Sequence, residues 1–254
     1  MNRVKAHLVI LLSLSIVAAG QKTQPKFNDA IKRSEAAAET IERVIGLSER
    51  GIPKQLIEKA AAIGVFPCKK TDLLIEHAVL CPGAISARIE NGWSLPSFFR
   101  FGGGGLGRPD SELGESSIII LMFMGKESVD SLTDGRAIKF DKVSVSGPVG
   151  SITTAQITES ANAQILVYDY RKDKLRGISL KGNSFKGVGL VEDNNINTPL
   201  YSMKGREALG VKNARNSSLL PSGILSFQDS LKKNLVRPIV SRPKWALPNS
   251  PSGC

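Results

Sequence analysis

The sequence predicts an α+β fold: an antiparallel β-rich core, sheet or barrel-like, with N-terminal helices packed on it. Three observations carry this. Apolar residues recur at helical spacing over residues 27–47. From about residue 70 the pattern becomes short apolar or alternating runs parted by Gly, Pro, Asn or Asp. Helices therefore come first and strands come after them with few helical crossovers, the order of an α+β chain rather than of a parallel α/β sheet.

The first 20 residues, MNRVKAHLVILLSLSIVAAG, have the three parts of a secretory signal peptide. Arg3 and Lys5 supply the charged start, Leu8 to Ala19 the apolar run, and small residues at 17–20 a cleavage site near Ala19 or Gly20. The apolar run is short of the roughly 20 residues that span a bilayer. The expected location is therefore secreted or periplasmic.

The first helix places Phe27, Ile31, Ser34, Ala38, Ile41, Val44 and Ile45 on one face. Gly51 ends it, and Pro53 opens a second helix, PKQLIEKAAAI, expected to run to about Ile63. GVFPCKK then reads as a turn into β structure. LLIEHAVL, AISARIE, LPSFFRF, SSIIILMFM, QILVYDY and RGISLKG read as strands. Of these, 118–124 is apolar on both alternating faces. It should be central, with Ile119 and Leu121 on one side and Ile118 and Ile120 on the other. A helix, KESVDSLTDGR, interrupts the strands, with Val129 and Leu132 on one face and Gly135 as its stop. A further short helix is expected near NTPLYSMKGREALG.

From residue 211 the chain is rich in Ser, Asn and Pro, with seven Lys or Arg against one Asp. It reads as a basic, disordered tail over 211–254, with a helical turn or two near FQDSLKKNL. The division is thus 1–20 signal peptide, 21–210 folded domain, 211–254 tail.

The four glycines from Gly102 to Gly105 invite a phosphate-loop reading. They lead to Gly-Arg-Pro and a strand, not to Gly-Lys-Ser/Thr and a helix, so no helix N-terminus is offered to a phosphate. His77 is the only histidine beyond the signal segment and lies in an apolar strand, which suits a structural role. Trp93 reads as a core or turn aromatic. Residues 191–195, VEDNN, lack the alternation of a calcium loop. No constellation supports catalysis, and no cofactor, metal site or small-molecule substrate is expected. Three cysteines remain: Cys68 and Cys81 are compatible with a disulfide in an oxidising compartment or with two buried thiols, and Cys254 is the odd one.

Positive charge is the remaining signal, at +11 for 254 residues. Lys22, Lys26, Lys32 and Arg33 lie in and beside the first helix, which suits an anionic membrane surface. Asp29, Glu35, Glu39 and Glu42 offset them, so a solvated charged face fits equally. Nucleic acid is not expected as a partner, since the chain has no aromatic-basic RNA motif and no recognition-helix pattern.

GIPKQLIEKAAAIGVFP, ARIENGWSLPSFFRFGGGGLG, ESSIIILMFMGKESVDSL, VSVSGPVGS, AQILVYDYRKDKLRGISLKG and NNINTPLYSMKGREAL occur in that order. Together they resemble the SYLF domain over about residues 27–210. LLIEHAVLCPG and GRPDSELGE depart from that family's glycine-rich pattern, which marks a divergent member. The resemblance implies a peripheral module that binds anionic or phosphoinositide-type lipid through a basic or amphipathic N-terminal segment. It makes the Gly102 run a segment between strands. Some eukaryotic members bind actin, which an exported chain would not meet. The alternative class is a non-catalytic structural or interaction protein of the cell envelope.

Overall fold

The computed structural model describes residues 26–73, 76–90, 92–102, 116–181, 187–211 and 220–235, with the backbone alone at 48, 69–73, 76–79 and 235. The expected signal segment, Lys22, the glycines at 103–105 and 107, and the chain after 235 lie outside them.

The fold is α+β, as the patterning predicts. Helix α1 covers residues 26–46 and buries Ala30, Ser34, Ala37, Ile41 and Val44. After a 3-10 turn, Ser48–Arg50, comes α2, Lys54–Lys59. It ends earlier than expected. Ala62 and Ile63 belong instead to β1, Ala62–Pro67, and so does most of the segment read as a turn. The alanine-rich run is compatible with a helix, but β1 pairs on both sides and each of Ala62–Phe66 is buried, so tertiary pairing overrides local preference.

Strand β2 is Lys69–Leu73 and β3 is Glu76–Ile89, one long strand where two were expected. Both halves of β3 keep one register: Val65 pairs Ala84, and Lys69 pairs Leu80. Cys68 therefore faces Cys81 and Pro67 faces Pro82. Prolines donate no ladder hydrogen bond, so pairing opens at this step. The Cys68–Cys81 disulfide closes the gap, with Cα atoms 4.0 Å apart. Gly83 is obligatory here, since a Cβ on it would lie 2.0 Å from the Val65 carbonyl oxygen.

The remaining strands are β4 (Gly92–Trp93), β5 (Ser97–Gly102), β6 (Ile118–Phe123), β7 (Ser144–Ser146), β8 (Ile165–Arg171), β9 (Lys174–Gly177) and β10 (Gly189–Glu192). They form a curled sheet in the order β10-β5-β3-β1-β6-β8-β7, with β2 and β4 beside β3 and β9 beside β8. All pairs but one are antiparallel. The exception is β7 with β8, joined by a crossover through α5, Thr154–Ala161. That helix was not expected. Its signal is a capping box, with Thr153 and Gln156 satisfying each other's backbone N–H groups.

Strand β6 lies between β1 and β8, covered on both faces. Ile119, Leu121 and Phe123 join one apolar cluster with Phe66, Phe101, Phe140 and Val167. Ile120 and Met122 join the other with α1, α2, Phe98 and Tyr168. Helices α3 (Lys126–Thr133, stopped by Gly135 at φ 68°), α4 (Phe140–Val143), α6 (Asn194–Tyr201) and α7 (Gly205–Ala208) fill the margins.

The expected tail is corrected over 220–235. Helix α8, Ser226–Leu235, packs into the domain, with Ile224, Phe227 and Leu231 fully buried. Three apolar residues at helical spacing anchor it despite the Ser, Lys and Asn around them. Ser34 of α1 reaches across: its hydroxyl donates to the Ile224 carbonyl (2.6 Å) and accepts from the Phe227 N–H (3.1 Å). It thereby satisfies a donor in the first turn of α8 that has no partner within its own helix.

Candidate anion-binding surfaces

Helix α1 holds four cations and four carboxylates, so its net charge is zero. Lys26, its first residue, and Lys32 are exposed. Arg33 is not available to a surface. Its side chain is 12% exposed, and its guanidinium donates to Asp193 (2.9 Å) and to Asp29. Asp193 is held in turn by its backbone N–H, which donates to the Phe98 carbonyl (2.9 Å), and Arg100 approaches it at 3.9 Å. Arg33 thus ties α1 to the turn between β10 and α6. The first helix is also committed on its apolar side. Ile31 packs against the core, and the backbone at Gly223 lies on it. Residues 191–195 end β10 and begin α6, where Asp193 serves this ion pair.

A second group of cations lies where β8 turns into β9. The turn residues Lys172 and Asp173 both have positive φ, 49° and 57°, the geometry of a two-residue hairpin turn. Asp169 pairs Arg176, and Arg171 pairs Lys174, so all four side chains share one face of the sheet. Tyr168, Tyr170 and Leu175 take the other face and join the apolar cluster under α1. Asp169 is 1% exposed, and its Oδ2 accepts from Arg176 Nε and Nη2, both at 3.0 Å. The Tyr170 hydroxyl donates to Asp173 (2.8 Å). Burial first, then the Asp173 carboxylate, raises the Tyr170 pKa, and Arg43 of α1 opposes the rise. Arg171, Lys172 and Lys174 make no ion pair among the described residues. With Asp169 and Arg176 they line a cleft of about 560 Å³.

The sequence carries this signal in DYRKDKLR. Charges at 169, 171, 174 and 176 alternate with apolar residues about a two-residue turn, which places them opposite one another on a single face. Patterning reads QILVYDY and RGISLKG as the strands there; β8 agrees, but β9 is Lys174–Gly177 and residues 178–181 are not strand, and the shared face of the charges is not seen from patterning alone. Arg43 contacts Tyr170, so this hairpin lies at the far end of α1 from Lys26. At 1.5 Å per residue, Lys26 and Arg43 are about 25 Å apart.

A third feature is a groove of about 430 Å³ beside α2, walled by Ile45, Ile52, Ile57 and Ile152. Trp93 is a core aromatic, 2% exposed, with the Arg88 guanidinium 4.5 Å from its ring centroid. The side chain of His77 lies outside the described residues. Among the described residues no group of three or more His, Cys, Asp or Glu is placed to hold a metal ion, and no helix is long and apolar enough to cross a membrane. Comparison of the chain with family models, with curated proteins and with solved structures finds no match.

Proposed function

We propose that the chain is an exported, non-catalytic module of divergent SYLF type that attaches to anionic lipid surfaces. The observation that carries this is the β8–β9 hairpin, where Arg171, Lys172 and Lys174 stand together and form no ion pair among the described residues, while Asp173 of the turn accepts from the Tyr170 hydroxyl and Asp169 is taken by Arg176. Each such cation contributes on the order of 1 kcal/mol near an anionic surface. The apolar face of α1 is committed to the core, so attachment rests on charge and is reversible and salt-sensitive. The charged start and apolar run of residues 1–20, together with the Cys68–Cys81 bridge, support export to an oxidising compartment.

Co-sedimentation of the mature chain with vesicles tests the reading. Binding to anionic vesicles at low salt, loss of that binding at high salt, and no binding to neutral vesicles are expected. Equal binding to neutral and anionic vesicles would overturn it. A second reading, an envelope interaction protein, is favoured by the isoleucine-walled groove beside α2. Absence of vesicle binding would move the assignment there.

A further inference from the structure

We propose that the cleft on the β8–β9 hairpin is a discrete ligand site for a phosphate ester with a hydroxyl close to its phosphate, the glycerol phosphate class. The inference rests on the reading of this hairpin as the anionic contact and gives that contact a defined ligand.

Size and lining set the class. A cleft of about 560 Å³ falls within the range of small-molecule sites. Its described lining is Asp169, Arg171, Lys172, Lys174 and Arg176, with no aliphatic or aromatic side chain among them. Among the described residues this lining fits a polar headgroup better than an acyl chain, and none of them offers a ring on which a nucleobase could stack. Asp169 and Arg176 neutralise each other through their paired hydrogen bonds. That leaves Arg171, Lys172 and Lys174 against Asp173 of the turn, an excess of two positive charges, which matches a phosphate monoester of about −2 better than a single carboxylate.

Asp169 supplies the second point of recognition. It is 1% exposed and part of the cleft wall, and its Oδ1 accepts no hydrogen bond among the described residues. A buried carboxylate oxygen calls for a donor. A bare phosphate offers little to it and is repelled by its charge. A hydroxyl beside the phosphate donates to it while the phosphate meets the cations. The cross-strand register holds the two needs side by side, Asp169 opposite Arg176 and Arg171 opposite Lys174.

Titration calorimetry on the mature chain, without vesicles, tests the site with glycerol 3-phosphate and inorganic phosphate as probes. Glycerol 3-phosphate should bind about tenfold more tightly than inorganic phosphate, the factor expected of one added hydrogen bond to a charged acceptor. Arg171→Gln with Lys174→Gln should abolish most of the binding while leaving the circular dichroism spectrum unchanged. Lys139→Gln with Lys142→Gln, an equal charge change on exposed residues at α4, should leave binding intact. Equal affinity for the two probes, no binding of glycerol 3-phosphate, or an equal loss in the α4 variant would each overturn the proposal. The two sources of the ligand separate in competition. Release of the chain from phosphatidylglycerol vesicles by glycerol 3-phosphate assigns the site to a lipid headgroup, and binding of the probe without release assigns it to a free ester. Vesicle binding without probe binding refutes the discrete site and leaves the charge reading intact. Probe binding without vesicle binding does the reverse.

Discussion

Helix α1 and the β8–β9 hairpin each carry four cations, and the protein uses them in opposite ways. In α1 the cations are matched by four carboxylates, and Arg33 is turned inward to hold the β10–α6 turn. On the hairpin, pairing gathers the charges on one face and neutralises only Arg176 among the strand cations. Counting basic residues favours neither region. What separates them is placement: period 2 sends the hairpin charges to one side of the sheet, while the helix spreads its charges around a cylinder. A cation contributes to a surface potential only where no neighbour has already claimed it.

The largest effect that would break this contrast concerns the packing of α1. Phe227→Ala, which empties the buried contact between α8 and α1, should cost about 3–4 kcal/mol. Chemical denaturation measures it, and a cost under 1 kcal/mol would show α1 to be loosely held and free to reach a membrane. Arg33→Ala should cost nearly as much, about 3 kcal/mol, because it leaves Asp193 largely buried with only Arg100, 3.9 Å away, beside it. A stable Arg33→Ala chain with reduced vesicle binding would instead make Arg33 a lipid contact.

A smaller effect tests the underside of the hairpin. Burial raises the pKa of Tyr168, and its hydroxyl has no hydrogen-bond partner among the described residues. A raised folded pKa gives stability that is fully present below the ordinary tyrosine value, about 10, and is lost as pH climbs from there through the folded value. The parent should therefore lose stability above about pH 10, and Tyr168→Phe should flatten that loss while leaving neutral-pH stability nearly unchanged. Tyr201→Phe makes the control. It shares the raised pKa through burial, but its hydroxyl donates to the Pro96 carbonyl at 2.9 Å. Replacing it should cost about 1 kcal/mol at neutral pH. Thermal melts across pH measure both. Equal neutral-pH costs for the two would mean that the Tyr168 hydroxyl is bonded.

The parts of the molecule that read clearly from sequence are those where one period dominates. Residues 118–123 are apolar on both faces, and β6 is central and covered on both sides, as that pattern requires. The α1 face was legible at Ser34, Ile41 and Val44, but Ala30 and Ala37 are buried where Phe27 and Ala38 were expected, and the contact Ser34 makes with the Ile224 carbonyl, 190 residues away in the chain, was not. Strand β1 was hidden because Ala62 and Ile63 extend an alanine-rich helical run, and only pairing with β3 and β6 decides them. A helical turn or two was legible where α8 lies, but its packing into the domain was hidden by its Ser, Lys and Asn, since composition is averaged over a segment while burial needs only Ile224, Phe227 and Leu231. The hairpin charges were visible one by one. Their convergence depends on a register that a linear reading supplies only once the turn at Lys172 and Asp173 is recognised.

The contrast itself is tested most directly by two variants of equal charge change in one vesicle assay. One carries Lys26→Ser and Lys32→Ser in α1, and the other Lys172→Asn and Lys174→Ser on the hairpin. At low salt on anionic vesicles, the hairpin variant should lose about 1 kcal/mol of binding per removed charge, while the α1 variant binds nearly as the parent does. Loss confined to the α1 variant, or equal loss in both, would contradict the assignment of the anionic contact to the β8–β9 hairpin.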